Sequence, residues 1–269
     1  MKSLVHFAHG NGFPSLCYKQ MLDHLKERFD YCYIDRVGHT SKYPVTENWQ
    51  YLVQEVLDSI KSQSSEPVIA IGHSLGGVLS FRAAIEDPSV FKALILLDSP
   101  IIGPFKSKIL RISKALGMID HITPAFRTKG RRQSWPSREH AIEYLKDREL
   151  FMHFTPACLE DYIDYGLQKN ENGYSLRFNR QIEYQIYRTI PHILHRYAGK
   201  LKVPAAIIYG SKSNVIDQTD LYYMEKHYDM QSYGIKGTHM FPMEHPKISA
   251  QLIIKAVDNL IPKGDSYVI

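Results

Sequence analysis

Cysteine is scarce in this chain, with three in 269 residues. Cys17, Cys32 and Cys158 are an odd number at no metal-ligand spacing. That argues against a disulfide framework and points to free thiols in a reducing compartment. Long hydrophobic runs are missing too, and nothing approaches the ~18 apolar residues that a bilayer-spanning helix needs. Met1-Lys2 leads straight into Leu4-Val5-His6-Phe7-Ala8, without the apolar stretch and cleavage pattern of a secretory signal. A cytoplasmic protein without a membrane span is therefore expected. There is no internal repeat and no low-complexity segment.

The composition is that of a globular protein: 44% hydrophobic, 23% charged, formal net charge +5. The length suits one large domain, or one domain carrying an insertion. Short apolar runs alternate with longer amphipathic stretches, the pattern of a parallel sheet covered by helices. Strands are expected at Ser3–Ala8, Tyr31–Ile34, Val68–Ile71, Ala93–Leu97, Ala205–Tyr209 and Met230–Ile235. Helices are expected near Leu16–Arg28, Asn48–Lys61 and Gly76–Glu86, with Pro246–Leu260 closing the fold. After Leu97-Asp98-Ser99-Pro100 the alternation stops, and it resumes at Val203-Pro204. The expectation is an α/β core built from residues 1–100 and 201–269. Residues 101–200 are expected to form a mostly helical cap over one end of the sheet.

Three segments carry candidate chemistry. Gly72-His73-Ser74-Leu75-Gly76-Gly77 follows an apolar strand and opens an apolar helix. A sharp strand-to-helix turn strains the backbone at the serine and crowds the positions two before and two after it, so glycine is needed at 72 and 76. The helix N-terminus beneath the serine favours developing negative charge. His9-Gly10-Asn11-Gly12-Phe13-Pro14 follows the first strand. Acyl transfer needs two backbone N–H groups for its oxyanion. Leu75, after the serine, and Asn11 are the chosen donors, with Gly12 and Phe13 as neighbouring possibilities. Gly237-Thr238-His239-Met240-Phe241-Pro242 sets His239 on a loop between the last strand and the closing helix, where it can reach over the sheet's C-terminal edge.

Together these three segments, in this order, resemble the α/β-hydrolase superfamily over Ser3–Pro100 and Val203–Leu260. Asp35-Arg36-Val37-Gly38-His39 also looks like that family's loop after its second shared strand, in a shifted order. The resemblance implies an α/β-hydrolase fold: a mostly parallel sheet of about six strands with helices on both faces and a helical cap. It leaves no room for the family's first two strands before Ser3. It implies Ser74 as nucleophile, His239 as general base and a carboxylate that holds the imidazole. The serine argues against dehalogenase or epoxide-hydrolase chemistry, which uses an aspartate nucleophile in this fold.

The family's usual acid position is empty of carboxylates here, at Gly210-Ser211-Lys212-Ser213-Asn214. Two candidates remain: Asp98, at a strand end as in some lipases and dehalogenases, and Asp217, seven residues past Gly210. Asp98 is preferred because a strand end is the firmer platform.

Between Ile101 and His140 stand Lys106, Lys108, Arg111, Lys114, Arg127, Lys129, Arg131, Arg132 and Arg138, opposed only by Asp120 and Glu139. This segment is either solvated cap surface or a steering patch for an anionic acyl substrate such as an acyl-CoA. No nucleic-acid module accompanies it. Aromatics from Trp135 to Phe154, with Tyr162, Tyr165, Phe178, Tyr184 and Tyr187, belong to the cap core or to an acyl pocket.

The expected activity is a serine carboxylesterase or thioesterase that cleaves a small-molecule acyl substrate through an acyl-enzyme, without metal or organic cofactor. Acyl transfer to another acceptor, hydrolysis of a carbon–carbon bond, and a non-catalytic binding role on the same scaffold stay open. Acyl length and oligomeric state are not legible.

Overall fold

A computed structural model describes residues 2–261. In chain order the first half of the core comprises β1 (Ser3–Ala8), α1 (Lys19–Leu25), β2 (Phe29–Tyr33), α2 (Gln50–Gln63), β3 (Val68–His73), α3 (Leu75–Glu86) and β4 (Phe91–Leu97). An insertion follows, with α4 (Pro104–Ala115), α5 (Ile119–Ile122), α6 (Ala125–Lys129), β5 (Ser134–Trp135) and α7 (Arg138–Lys146). It continues through α8 (Pro156–Gly166), β6 (Leu167–Asn170), β7 (Gly173–Leu176) and α9 (Arg180–Arg188). The core is completed by β8 (Ala205–Gly210), α10 (Gln218–Tyr228), β9 (Gln231–Ile235), α11 (Phe241–Glu244) and α12 (Pro246–Leu260).

Six strands form one sheet in the order β2-β1-β3-β4-β8-β9, every neighbouring pair parallel. This is the parallel sheet covered by helices that the apolar runs imply. The central runs, β1, β3, β4 and β8, are buried on both faces and are continuous rather than alternating. One face packs Val5, Phe7, Ile71 and Ile95 against Leu22 and Leu25 of α1 and Ile253 of α12. The other packs Ala70, Leu94, Leu96 and Ile207 against Val56 of α2, Leu79 of α3 and Met224 of α10. Each such fully buried aliphatic side chain contributes roughly 1.5–3 kcal/mol.

The inserted segment departs from its expected character at one point. It is not helical throughout: β5, β7 and β6 pair into a small antiparallel sheet. The hairpin turn Glu171-Asn172 carries the signal, with Gly173 at φ +114°. The periodicity of the flanking helices hides so short a sheet.

Strand ends deliver the loops that meet at the C-terminal edge. The loop after β2 is tied down by Glu55 on α2, whose buried carboxylate accepts from the Gly38 amide at 2.7 Å. Desolvation raises the Glu55 pKa from 4.5 to about 7, against the opposing pull of that amide. The folded chain therefore holds this proton more tightly than the unfolded chain does. Its stabilising contribution is complete below pH 4.5 and is lost as pH rises through about 7. Glu55→Gln keeps the acceptor and removes the titration. The variant should gain about 3 kcal/mol on the wild type between about pH 4 and about pH 8.5, read as denaturant midpoints at both. Parallel pH profiles for the two proteins would show that Glu55 does not titrate in this window.

Candidate active site

The turn from β3 into α3 holds Ser74 at φ 50°, ψ −113°, a conformation that a non-glycine residue adopts only under constraint. The constraint is visible on both sides. The Ser74 amide donates to the Leu97 carbonyl at 2.9 Å, and the Gly76 amide donates to the His9 carbonyl at 3.1 Å. A Cβ at Gly76 would lie 2.1 Å from the Ala8 carbonyl oxygen, and one at Gly72 would lie 2.4 Å from the Gly77 nitrogen. Only glycine lets α3 press so close to the end of β1. Leu75 is the first residue of α3, so its amide has no partner within the helix.

Asp98 directly follows β4 and is fully buried, with φ 45°. One carboxylate oxygen accepts from the Gly210 amide at 2.9 Å. The other meets the Ser213 hydroxyl and lies 2.7 Å from His239 Nδ1. Asp217 is elsewhere. It caps the N-terminus of α10 by accepting from the Thr219 and Asp220 amides, and it pairs with Lys106. That ion pair and its hydrogen bonds hold the Asp217 carboxyl well below the ordinary range.

Two residues that sequence reasoning passed over connect these loops. The His73 Nε2 lies 2.9 Å from the His239 carbonyl oxygen, which can only accept, so Nε2 carries the proton. Nδ1 then accepts from the Tyr18 hydroxyl at 2.7 Å, and that hydroxyl in turn accepts from the Gly10 amide at 3.2 Å. Burial, reinforced by the neighbouring His239, pushes the His73 pKa well below the ordinary value, so the ring stays neutral. His9 plays a matching part toward the β2 loop. Its Nε2 accepts from the Val37 amide at 2.9 Å while Nδ1 donates to the Gly10 carbonyl at 2.8 Å. The signal for His73 was its place beside Ser74; Tyr18 had none.

The insertion presses on the same loop from above. Buried Glu183 and partly buried Arg131 form an ion pair at 2.8 and 2.9 Å, and Arg131 also donates to the Tyr162 hydroxyl. Gly12 lies directly beneath, where a Cβ would sit 2.7 Å from Glu183 Oε1. Asn11 donates from Nδ2 to the Glu183 carbonyl at 3.0 Å. Arg131 therefore holds this loop and is not a free cation awaiting substrate. Other members of the basic segment are similarly engaged: Lys106 with Asp217 and Asp220, Lys114 with Glu47, Lys129 with Asp120, and Arg138 with Glu160 and Asp164.

Asn11, Ser74 and Leu75 line one small cavity, open to solvent and about 70 Å³ in volume, with Trp49, Val78, Leu110, Ile186, Tyr187 and Leu194. No Lys, Arg, His, Asp or Glu lines it. Of the aromatics considered for a pocket, Tyr187 is in its wall; Trp135, Phe151, Tyr162 and Phe178 are buried core. Among the described residues no three His, Cys, Asp or Glu side chains converge as metal ligands.

A model of the alpha/beta hydrolase family matches residues 7–252. The chain belongs to that family. This hydrolase is 26% identical over 174 residues to a Type I acyl-CoA thioesterase of Penicillium roqueforti, covering 59% of this chain and 38% of that protein. It is 31% identical over 125 residues to a monoglyceride lipase of Rattus norvegicus, covering 42% and 41%. The chain thus spans about two fifths of the length of these curated relatives. Among solved structures the hydrolase is similar in fold to E-2-(acetamidomethylene)succinate hydrolase, with TM-score 0.77 at 19% identity over 96% of this chain and 92% of that one.

The Arg131–Glu183 pair makes a stability prediction. Arg131→Leu strands a buried carboxylate and should cost roughly 3–5 kcal/mol in urea unfolding, whereas Arg131→Leu with Glu183→Leu should recover most of that loss. A double variant as unstable as the sum of its single changes would mean that the two side chains act independently.

Proposed function

We propose that this hydrolase cleaves carboxylic esters or thioesters through an acyl-enzyme, with Ser74 as nucleophile, His239 as general base and Asp98 as the group that orients the imidazole. The observation that carries this reading is the His239–Asp98 pair, 2.7 Å apart at the sheet edge where the strained Ser74 opens onto an apolar cavity. Residues 101–200 act as a cap that supplies most of the cavity's far wall, on a core of residues 1–100 and 201–269.

The chemistry follows from the parts. Ser74 Oγ attacks the acyl carbonyl while His239 takes its proton. Asp98, accepting from Nδ1, keeps the basic nitrogen turned away from itself and stabilises the imidazolium. The amides of Leu75 and Asn11 receive the oxyanion, an interaction worth roughly 3 kcal/mol per donor. The leaving alcohol or thiol departs with the proton from His239, and water then repeats the sequence on the acyl-enzyme. A cavity without charged lining favours an aliphatic or aromatic acyl group over an anionic one, so an anionic leaving group such as a coenzyme would have to stay outside it. The names of the thioesterase and lipase relatives agree with acyl chemistry. Asp98 beside His239 offers a carboxylate despite the gap after Gly210, which supports a catalytic reading over a non-catalytic scaffold.

A fluorophosphonate probe and a p-nitrophenyl ester series from acetate to palmitate test the reading. The wild type should label and turn over, with a chain-length optimum set by the cavity, and Ser74→Ala should do neither. Asp98→Asn should lower kcat by about 10⁴-fold. Asp217→Asn should leave kcat within about tenfold and cost at most about 1 kcal/mol of stability through the weakened helix cap. Full labelling of Ser74→Ala, or full activity in Asp98→Asn, would refute the assignment.

A further inference from the structure

The helix α4 is amphipathic, but its apolar stripe faces solvent. Phe105, Ile109, Ile112 and Leu116 recur at helical spacing and are all exposed, Phe105 at 75% and Leu116 at 66% of full accessibility. The inward face is carried by Ser107 and Leu110, and Leu110 reaches the cavity beside Ser74. The apolar exposure continues through Met118, Ile122 on α5 and Phe126 on α6, elements that pack one against the next. Single exposed hydrophobics are ordinary; a stripe of this length is not.

Charge says what covers it. Lys108 and Arg111 are exposed on one flank of the stripe, whereas Lys106 on the other is held by Asp217 and Asp220. Within Phe105 to Arg127 the one carboxylate is Asp120, engaged by Lys129, Arg188 and the Tyr184 hydroxyl. The carboxylates that reach α4 from other elements, Asp217, Asp220 and Glu47, are taken up by Lys106 and Lys114. Among the described residues this leaves Lys108 and Arg111 unopposed beside the stripe. A helix with bulky apolar side chains on one face and unpaired basic residues along one margin suits a lipid–water interface, with the apolar side in the acyl region and the cations among anionic headgroups. No helix among the described residues is long and apolar enough to cross a membrane, so such docking would be peripheral.

We propose that the outer face of α4–α6 docks this hydrolase onto an anionic phospholipid surface. The same helix then faces the bilayer with one side and the cavity with the other, which shortens the path of an acyl chain from membrane to Ser74. Docking itself does not depend on the catalytic reading, and Ser74→Ala should bind as the wild type does.

Co-sedimentation with vesicles tests the proposal without using turnover. The wild type should pellet with phosphatidylcholine vesicles containing phosphatidylserine and much less with phosphatidylcholine alone. Raising the salt from about 0.1 M to about 1 M, which shortens the screening length from about 10 Å to about 3 Å, should release most of it. Phe105→Ser with Leu116→Ser should weaken partitioning by tenfold or more. Lys108→Glu with Arg111→Glu should abolish the preference for anionic vesicles. Both pairs should hydrolyse a soluble short-chain ester like the wild type, which separates lost docking from misfolding. Absence of binding, or equal binding to both vesicle types, would overturn the proposal. So would sedimentation velocity showing a dimer that the Phe105 and Leu116 changes dissociate, because a second copy would then cover the face.

Discussion

One buried carboxylate organises the C-terminal edge of the sheet. Asp98 has no access to water, and an unpartnered charge there would cost several kcal/mol. Its partners are a backbone amide from the end of β8, a hydroxyl from the loop after β8 and an imidazole from the loop after β9. Two separate stretches of chain, Gly210–Ser213 and the His239 loop, converge on Asp98 because each supplies a donor that the carboxylate requires. The left-handed backbone at Asp98, like that at Ser74, is strain that the parallel strands around it hold in place.

Around this centre the loops are fastened by directional hydrogen bonds rather than by bulk packing. Tyr18 and His73 connect the Gly10 amide to the His239 carbonyl through a neutral ring of defined tautomer. His9 and Glu55 secure the β2 loop, and the Arg131–Glu183 pair bears on Gly12 from the insertion. A shift of one loop would leave a polar group unpaired in another, so the edge behaves as a connected network. The insertion belongs to that network: Asn11 donates to the backbone of α9. The cavity wall and the loop at its base are therefore not mechanically independent.

The sheet was legible because its signal is local. Each central strand, β1, β3, β4 and β8, is a short apolar run, apolar because a parallel sheet buries both faces there. The strand–turn–helix at Ser74 was legible for the same reason, since the glycines that the close approach demands lie within the motif itself. The character of the basic segment was not. Charges counted along a chain do not say which carboxylates will come to face them, and Glu183, 52 residues from Arg131, is invisible to a window of forty. The small β5-β7-β6 sheet was missed because its strands are too short to show a period of two.

The sequence by itself determined the order of strands and helices, the glycine-dependent turn that carries Ser74, and the loop that carries His239. These depend on residues adjacent in the chain. It left two carboxylates open for the partner of His239, and only tertiary structure chose between them. Parallel pairing of β4 with β8 brings Asp98 to the Gly210 amide across 112 residues, whereas Asp217 is drawn away to cap α10 and pair with Lys106. The outward turn of the α4 stripe was decided the same way. An amphipathic period shows that a helix has an apolar face, but only the packing of its other face against the core shows which side is left to the solvent.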